Sequence, residues 1–339
     1  MLSFSPKVVT KELLATLPER SRDVIVFRYG LGKDGTRRTL ESIGSDYNIT
    51  RERVRQIESH GLSSLRDSDA YKTHQEAIVD LENALRQLGS VIAEDDVLVE
   101  LPKTKTDKNH VHFLLTVGQP FVHQRENNDF VKRWSVDSTL SSKVYDALSI
   151  LHDTIDPDNL IPEDEFLQTF TSCLMKAGVK EKEPTVLKRW LALTKRIGRN
   201  PLGEWGRASS PNVRVKSMRD LAYLTLKRHG SPMHFTEVAS SIEKLFGKKA
   251  HPATCHNELI KDDRFVLVGR GLYALKEWGY EPGVVREVIK DVLKKEGPLT
   301  REEIIDRVKR ERYVKDATIT VNLQEDMFRR LPDGRYELV

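Results

Sequence analysis

Four side chains at one end of a helical stretch could do chemistry on a polar surface: Arg51, Glu52, Arg55 and Gln56. They form two i, i+4 pairs, so they share one face of a helix running from Arg51 to about Arg66, with Val54, Ile57, Gly61 and Leu65 on the other. The chemistry such a set offers is base-edge hydrogen bonding. Arg is bidentate to guanine, Gln is bidentate to adenine, and Glu accepts from cytosine. Arg37 and Arg38 precede this region and suit phosphate oxygens. On spacing alone a merely solvated charged face on an ordinary helical bundle remains an equal alternative.

The elements that must position these residues are readable. Pro18-Glu19-Arg20 starts a helix, as Pro is tolerated in a first turn and Glu suits its positive end. Thr39 is an N-cap for Leu40–Tyr47. Gly44 allows close helix approach, Asn48 suits a left-handed turn, and Thr50 caps the helix that follows. Helix, sharp turn and helix, with Arg and Gln opening the second helix, is the layout of major-groove reading.

The wording of this segment adds to that reading. LPERSRDVIVFRYGLG followed by TLESIGSDYNITRERVRQIESHGLSSLR resembles region 4 of the sigma-70 family of bacterial transcription initiation factors, over residues 11–66. In that family the domain reads the −35 promoter element, and its surface meets the flap of the polymerase β subunit. The resemblance makes Arg51, Glu52, Arg55 and Gln56 base-edge residues and places Thr39, Leu40 and Glu41 at a helix end facing the phosphate backbone. His60 and Gly61 replace an alanine-rich stretch, and Ser63 and Ser64 stand where basic residues are frequent. No aromatic-rich −10 melting segment is found. The expectation is therefore a sigma-like DNA binder and not a stand-alone sigma factor.

Beyond residue 70 a plan recurs: helix, helix with an acidic start, helix, then a β-like pair ending in an aromatic. It is clearest in Met218–Lys276, where Gly269-Arg270-Gly271 turns a hairpin between two apolar strands. Val284–Lys295, Thr300–Lys309, Ala317–Glu325 and a hairpin at Asp333-Gly334 repeat it. Fainter copies run through Tyr145–Leu151, Glu163–Met175, Pro184–Ile197 and Trp205, and through Ile78–Leu88, Glu94–Leu101, Asn109–Val117 and a tail from Phe121 to Trp134. The expected fold is mainly α: an N-terminal helix-turn-helix followed by tandem small winged-helix domains with short β-hairpin wings. The expected boundaries are 1–70, 71–140, 141–216, 217–280 and 281–339. The segment from MRDLAYLTLKRHG through HFTEVA and HPATCHNELI to FVLVGRGLYALKEWG resembles the HARE-type winged-helix family, which includes the N-terminal domain of the RNA polymerase delta subunit. That resemblance implies a DNA- or polymerase-associated adaptor. Geometry alone, third helix and wing tip, picks out Thr254, His256, Asn257, Lys261 and Arg270 as contacts; solvated surface is an equal alternative.

Composition agrees and excludes. Of 339 residues 31% are charged and 38% hydrophobic, which suits several small domains. Net charge is only +4, negative over 71–140 and zero over 281–339, so any phosphate-binding footprint is local. Two cysteines, Cys173 and Cys255, allow no disulfide framework or cysteine-rich zinc site and fit a reducing compartment. No apolar run approaches the ~20 residues that span a bilayer. The first residues, MLSFSPKVVTKELL, contain no secretory h-region. No GxxxxGK[ST] loop occurs, and Gly30-Leu31-Gly32 lacks a following phosphate-binding helix fingerprint. His110 and His112 have no convincing third metal ligand, Pro157-Asp158 has no nuclease partner motif within reach, and Trp134 and Trp205 fit core plugs.

The expectation is a cytoplasmic, nucleoid-associated transcription factor, not an enzyme. No cofactor, metal, membrane or small-molecule partner is expected. Its expected partners are promoter-like double-stranded DNA and bacterial RNA polymerase. A protein-interaction scaffold and the DNA-targeting subunit of a restriction or nuclease system stay open as alternatives.

Overall fold

Three short polar side chains set the ends of the helices that carry the candidate site. The Thr39 hydroxyl accepts from the Ser42 N–H at 3.1 Å, and the Thr50 hydroxyl accepts from the Arg53 N–H at 3.2 Å. Between them Asn48 takes a left-handed conformation, φ 52°. The computed structural model describes residues 2–102, 104, 107–157, 159–280, 285–311 and 314–339. The chain divides into two compact units, residues 1–198 with 205–208 and residues 199–204 with 209–339.

The first unit opens with α1 (Pro6–Ala15), α2 (Glu19–Tyr29), α3 (Leu40–Tyr47) and α4 (Arg51–Arg66). Val24, Ile43 and Val54 form a small, fully buried core that holds α3 and α4 at their turn. A second apolar face, with Leu13, Leu14, Leu17, Ile25, Tyr29 and Leu65, packs elsewhere: against Tyr71, Ile78, Phe113, Leu114 and Val117. Gly61 belongs to this face. A Cβ there would stand 2.9 Å from Ile25 Cδ1, so the departure from alanine has a packing reason.

The covering residues come from α5 (Asp69–Thr73), α6 (Gln75–Gln87), β1 (Val91–Ala93), α7 (Glu94–Glu100), α8 (Asp107–Val117), β2 (Val122–Gln124) and β3 (Arg133–Ser135). The sheet order is β1-β3-β2, with Ile92 opposite Trp134. Then follow α9 (Ser138–Thr154), α10 (Glu163–Lys176), α11 (Pro184–Leu191), β4 (Ile197–Arg199) and β5 (Trp205–Arg207), with Ile161 bridging to Trp205. Trp134 and Trp205 are both buried.

The second unit contains α12 (Met218–His229), β6 (Met233–His234), α13 (Phe235–Phe246), α14 (Pro252–Lys261), β7 (Phe265–Gly269) and β8 (Leu272–Leu275), ordered β6-β8-β7. It ends with α15 (Val285–Glu296), α16 (Arg301–Glu311), α17 (Asp316–Asn322), β9 (Phe328–Arg330) and β10 (Tyr336–Leu338). Leu299 bridges to Tyr336. The fold is mainly α, a helix-turn-helix followed by winged helices.

One detail of the plan was not visible in the sequence. In every copy, the residues just before the second helix pair with the last wing strand, at Trp134, Trp205, Tyr273 and Tyr336 respectively. Two to three residues of strand leave no periodic pattern to read.

Some helix ends also differ from expectation. The helix expected over Pro184–Ile197 stops at Leu191, because Val131 N–H donates to Leu193 O at 3.0 Å and Lys195 N–H to Asp129 O at 2.7 Å. The backbone there is committed to an extended pairing, Phe130 with Thr194. The helix expected over Ala317–Glu325 ends at Asn322, where Leu323 turns inward and is buried. The helix expected from Asn109 already begins at Asp107, whose carboxylate accepts from Thr104 N–H and Oγ1. Val284 and Asp158 lie outside the described residues.

Residues 218–279 hold a packed interior of their own, with Val238, Ile242, Cys255, Leu259, Val268 and Ala274 at most 1% exposed. Arg264 is locked by Asp220 at 3.0 Å and Asp262 at 2.7 Å. We expect the excised segment to fold alone, though a domain of this size is marginal. Circular dichroism should show helix and a cooperative melt; an unaggregated fragment without helix would contradict it.

Candidate nucleic-acid interface

Arg51, Glu52, Arg55 and Gln56 are all exposed on the first two turns of α4, while Val54 behind them is fully buried. The structure brings the four together as a polar face with internal order. Arg55 donates to Glu52 twice, Nε at 2.8 Å and Nη2 at 2.7 Å. That pair pulls the Glu52 carboxyl below its ordinary range, by the Arg55 hydrogen bond first. Exposed pairs of this kind contribute little to stability and open readily, so both groups are available to a ligand. Arg51 Nη1 stands 3.7 Å from Glu41 Oε1 on α3, also exposed on both sides.

Arg53 was not singled out from the sequence, yet it is exposed beside this face. Its Nη1 donates to Gln56 Oε1 at 3.1 Å. The signal was present: Arg53 follows the cap by three residues, within reach of a side chain at i+3. Arg53, Arg51, Thr50, Asn48 and Glu41 line a shallow concavity of about 660 Å³ at the turn between α3 and α4.

Arg37 and Arg38 differ. Arg37 is exposed, and its Nε donates to Asn109 Oδ1 at 2.9 Å. Burial of its stem lowers its pKa, and Glu94 opposes this. Arg38 is built into the fold. It donates to Ser42 Oγ at 3.0 Å, pairs with Asp46, and lies 5.1 Å from the centre of the Phe27 ring. Thr39 and Glu41 are exposed and Leu40 is half-buried at the start of α3.

On the second unit Thr254, Asn257 and Lys261 are exposed along α14, and Arg270 is exposed at the wing turn. His256 turns inward. Its ring lies 4.5 Å from Phe235 and meets Tyr273 edge-on at 5.8 Å. Lys244, Lys248 and Lys249, just before α14, are exposed and were legible as a basic run.

The His110–His112 pair separates: His110 is buried, and His112 faces Glu94 across 3.6 Å. His123 reaches the same carboxylate oxygen at 2.9 Å. The His112 hydrogen bond, with His123 and Lys132 nearby, pulls the Glu94 carboxyl down to about 2. Among the described residues no group of three or more His, Cys, Asp or Glu side chains is arranged to hold a metal ion. Among them, too, no helix is long and apolar enough to cross a membrane.

With this geometry in place, comparison with known proteins finds two families. Residues 13–67 match the family model "Sigma-70, region 4", and residues 216–278 match the HARE-HTH family model, a restriction endonuclease HTH domain. Residues of the first segment are 56% identical over 54 positions to RNA polymerase sigma factor SigA1 of Synechococcus elongatus, covering 16% of this chain and 13% of that protein. Sigma factor SigA of Microcystis aeruginosa is 54% identical over 56 residues, 16% of this chain and 13% of the relative. Sigma factor RpoD of Helicobacter pylori is 50% identical over 60 residues, 18% and 9% respectively. The similarity therefore spans about an eighth or less of each relative's length, and it falls on the helices that carry the polar face.

Proposed function

We propose that this protein is a sequence-specific, sigma-like DNA-binding transcription factor that acts with bacterial RNA polymerase at initiation. The observation that carries this is the exposed set Arg51, Glu52, Arg55 and Gln56 on the first turns of a capped helix whose opposite side is buried. Within the reading, α4 enters the major groove and those four side chains meet base edges. Arg37 and the start of α3 at Thr39, Leu40 and Glu41 face phosphates. Arg38 braces α3 on α2. The reading assigns no catalytic step and no cofactor. The 217–280 unit is a second candidate for nucleic acid, through Thr254, Asn257, Lys261 and Arg270.

The last unit supports a second role, contact with protein. Its cations are largely matched within it: Arg286 with Glu325, Arg307 with Glu296, Arg310 with Asp306, Arg329 with Glu337 and Arg335 with Asp333. A module that already neutralises its own cations gains little from phosphates.

Salt titration tests the proposal. Wild-type protein is expected to bind duplex DNA with an affinity that falls steeply as salt rises. Arg37→Ala should weaken binding to every sequence and flatten the log–log slope by about 0.9. Binding without salt dependence would overturn the phosphate assignment, and loss of binding to core polymerase beads by the intact chain would remove the partner.

A further inference from the structure

The segment between α2 and α3 carries Arg37, and it is not held by its own helices alone. Asn109, on the first turns of α8, reaches it from 72 to 79 residues away in sequence. Its Nδ2 donates to Gly30 O at 2.9 Å and to Gly35 O at 2.8 Å. Its Oδ1 accepts from Arg37 Nε at 2.9 Å. One amide thus closes both ends of the turn and fixes the guanidinium beside it. The fit is tight. Gly30 has φ 65°, and a Cβ there would stand 2.8 Å from Asn109 Nδ2 and 2.7 Å from Gly35 O. Asn109 itself lies outside the segment that matches the sigma region 4 family.

The arithmetic of donors gives this contact a direction. A guanidinium has five N–H donors in a rigid fork. Asn109 takes the one at Nε, on the stem side, and leaves the four on Nη1 and Nη2 at the free end. A fork held at its stem meets a phosphate with less conformational freedom to lose than a free arginine.

We infer that Asn109 is a positioning residue for phosphate anchoring: α8 of the following unit clamps the Gly30–Arg37 turn and aims Arg37 at the DNA backbone. This rests on the reading of Arg37 as a phosphate contact. Its consequence is that the DNA-binding surface is completed by residues beyond the helix-turn-helix.

The test measures duplex binding by the full chain against salt for wild type, Arg37→Ala, Asn109→Ala, Asn109→Asp and the Arg37→Ala/Asn109→Ala double variant. Losing one phosphate contact should cost about 8-fold at 0.1 M salt, which is what a slope of about 0.9 gives between 1 M and 0.1 M. Asn109→Ala should approach that loss and flatten the slope. The double variant should bind no worse than Arg37→Ala, and the preferred DNA sequence should be unchanged throughout. Asn109→Asp keeps the shape and the acceptor for Arg37 but has no donor for Gly30 O and Gly35 O, so amide hydrogen exchange at residues 31–38 should speed up in it while α4 stays protected. If Arg37→Ala flattens the slope and both Asn109 variants bind like wild type, the inference is overturned and the phosphate reading stands. If Arg37→Ala itself leaves the slope unchanged, the reading beneath it falls and takes the inference with it.

Discussion

Arg55→Ala is expected to abolish discrimination at one base pair of the preferred site while leaving the fold intact. Arg55 is exposed, and its only polar partner on the helix is Glu52, also exposed. Its removal therefore disturbs nothing that packs: Val54 and Leu65 remain fully buried on the other side. A good bidentate base contact discriminates by about 5- to 150-fold against the wrong base. Selecting duplexes from a random pool with wild type and with Arg55→Ala measures this directly. The expected result is the same motif with one position degenerate. An unchanged motif with uniformly weaker binding would make Arg55 a phosphate contact instead. Gln56→Ala should degrade a different, neighbouring position, since Gln56 is one residue further round the same face.

The second large effect concerns folding. Residues 1–70 excised from the chain are expected not to fold. Leu13, Leu14, Leu17, Ile25, Tyr29 and Leu65 would lose their cover of Ile78, Phe113, Leu114 and Val117. Each such side chain is worth roughly 1.5–3 kcal/mol when buried, and a whole domain is stable by only about 5–15 kcal/mol. Exposing several at once exceeds that margin. Polar ties go as well. Arg66 donates from Nε to Val117 O at 2.9 Å and from Nη2 to Thr116 O at 2.8 Å, at the carbonyl end of α8. In the intact chain Phe113→Ala should cost about 3–5 kcal/mol. Thermal melts of fragments 1–70 and 1–137 decide the point: a cooperative melt of 1–70 equal to that of 1–137 would show the shared core to be dispensable.

The helix-turn-helix was legible because its signals are local. Thr39, Asn48 and Thr50 act within three residues of themselves, and each sits where its type requires. The face of α4 was equally readable from i, i+4 spacing. What escaped was long-range. Nothing near Asn109 indicates that it reaches Gly30, and nothing near Ile25 says which helix covers it. Arg38 and His256 show the same gap from the other side: their types suit a ligand, but Asp46 with Phe27, and Phe235 with Tyr273, hold them within the fold. The strands before each second helix, at Val91, Met233 and their counterparts, are too short to show alternation. Arg53 was within reach of the same spacing argument and lies next to the base-reading face it helps order.

Photo-crosslinking from α4 tests the central claim most directly. A photoreactive amino acid placed at Gln56, and for contrast at exposed Val321 on α17, is irradiated with the selected duplex bound to the full chain. The account predicts crosslinks from position 56 to bases within the selected motif, on their major-groove edges, and none from position 321. Crosslinks absent at 56, or formed there with DNA outside the motif, would contradict it.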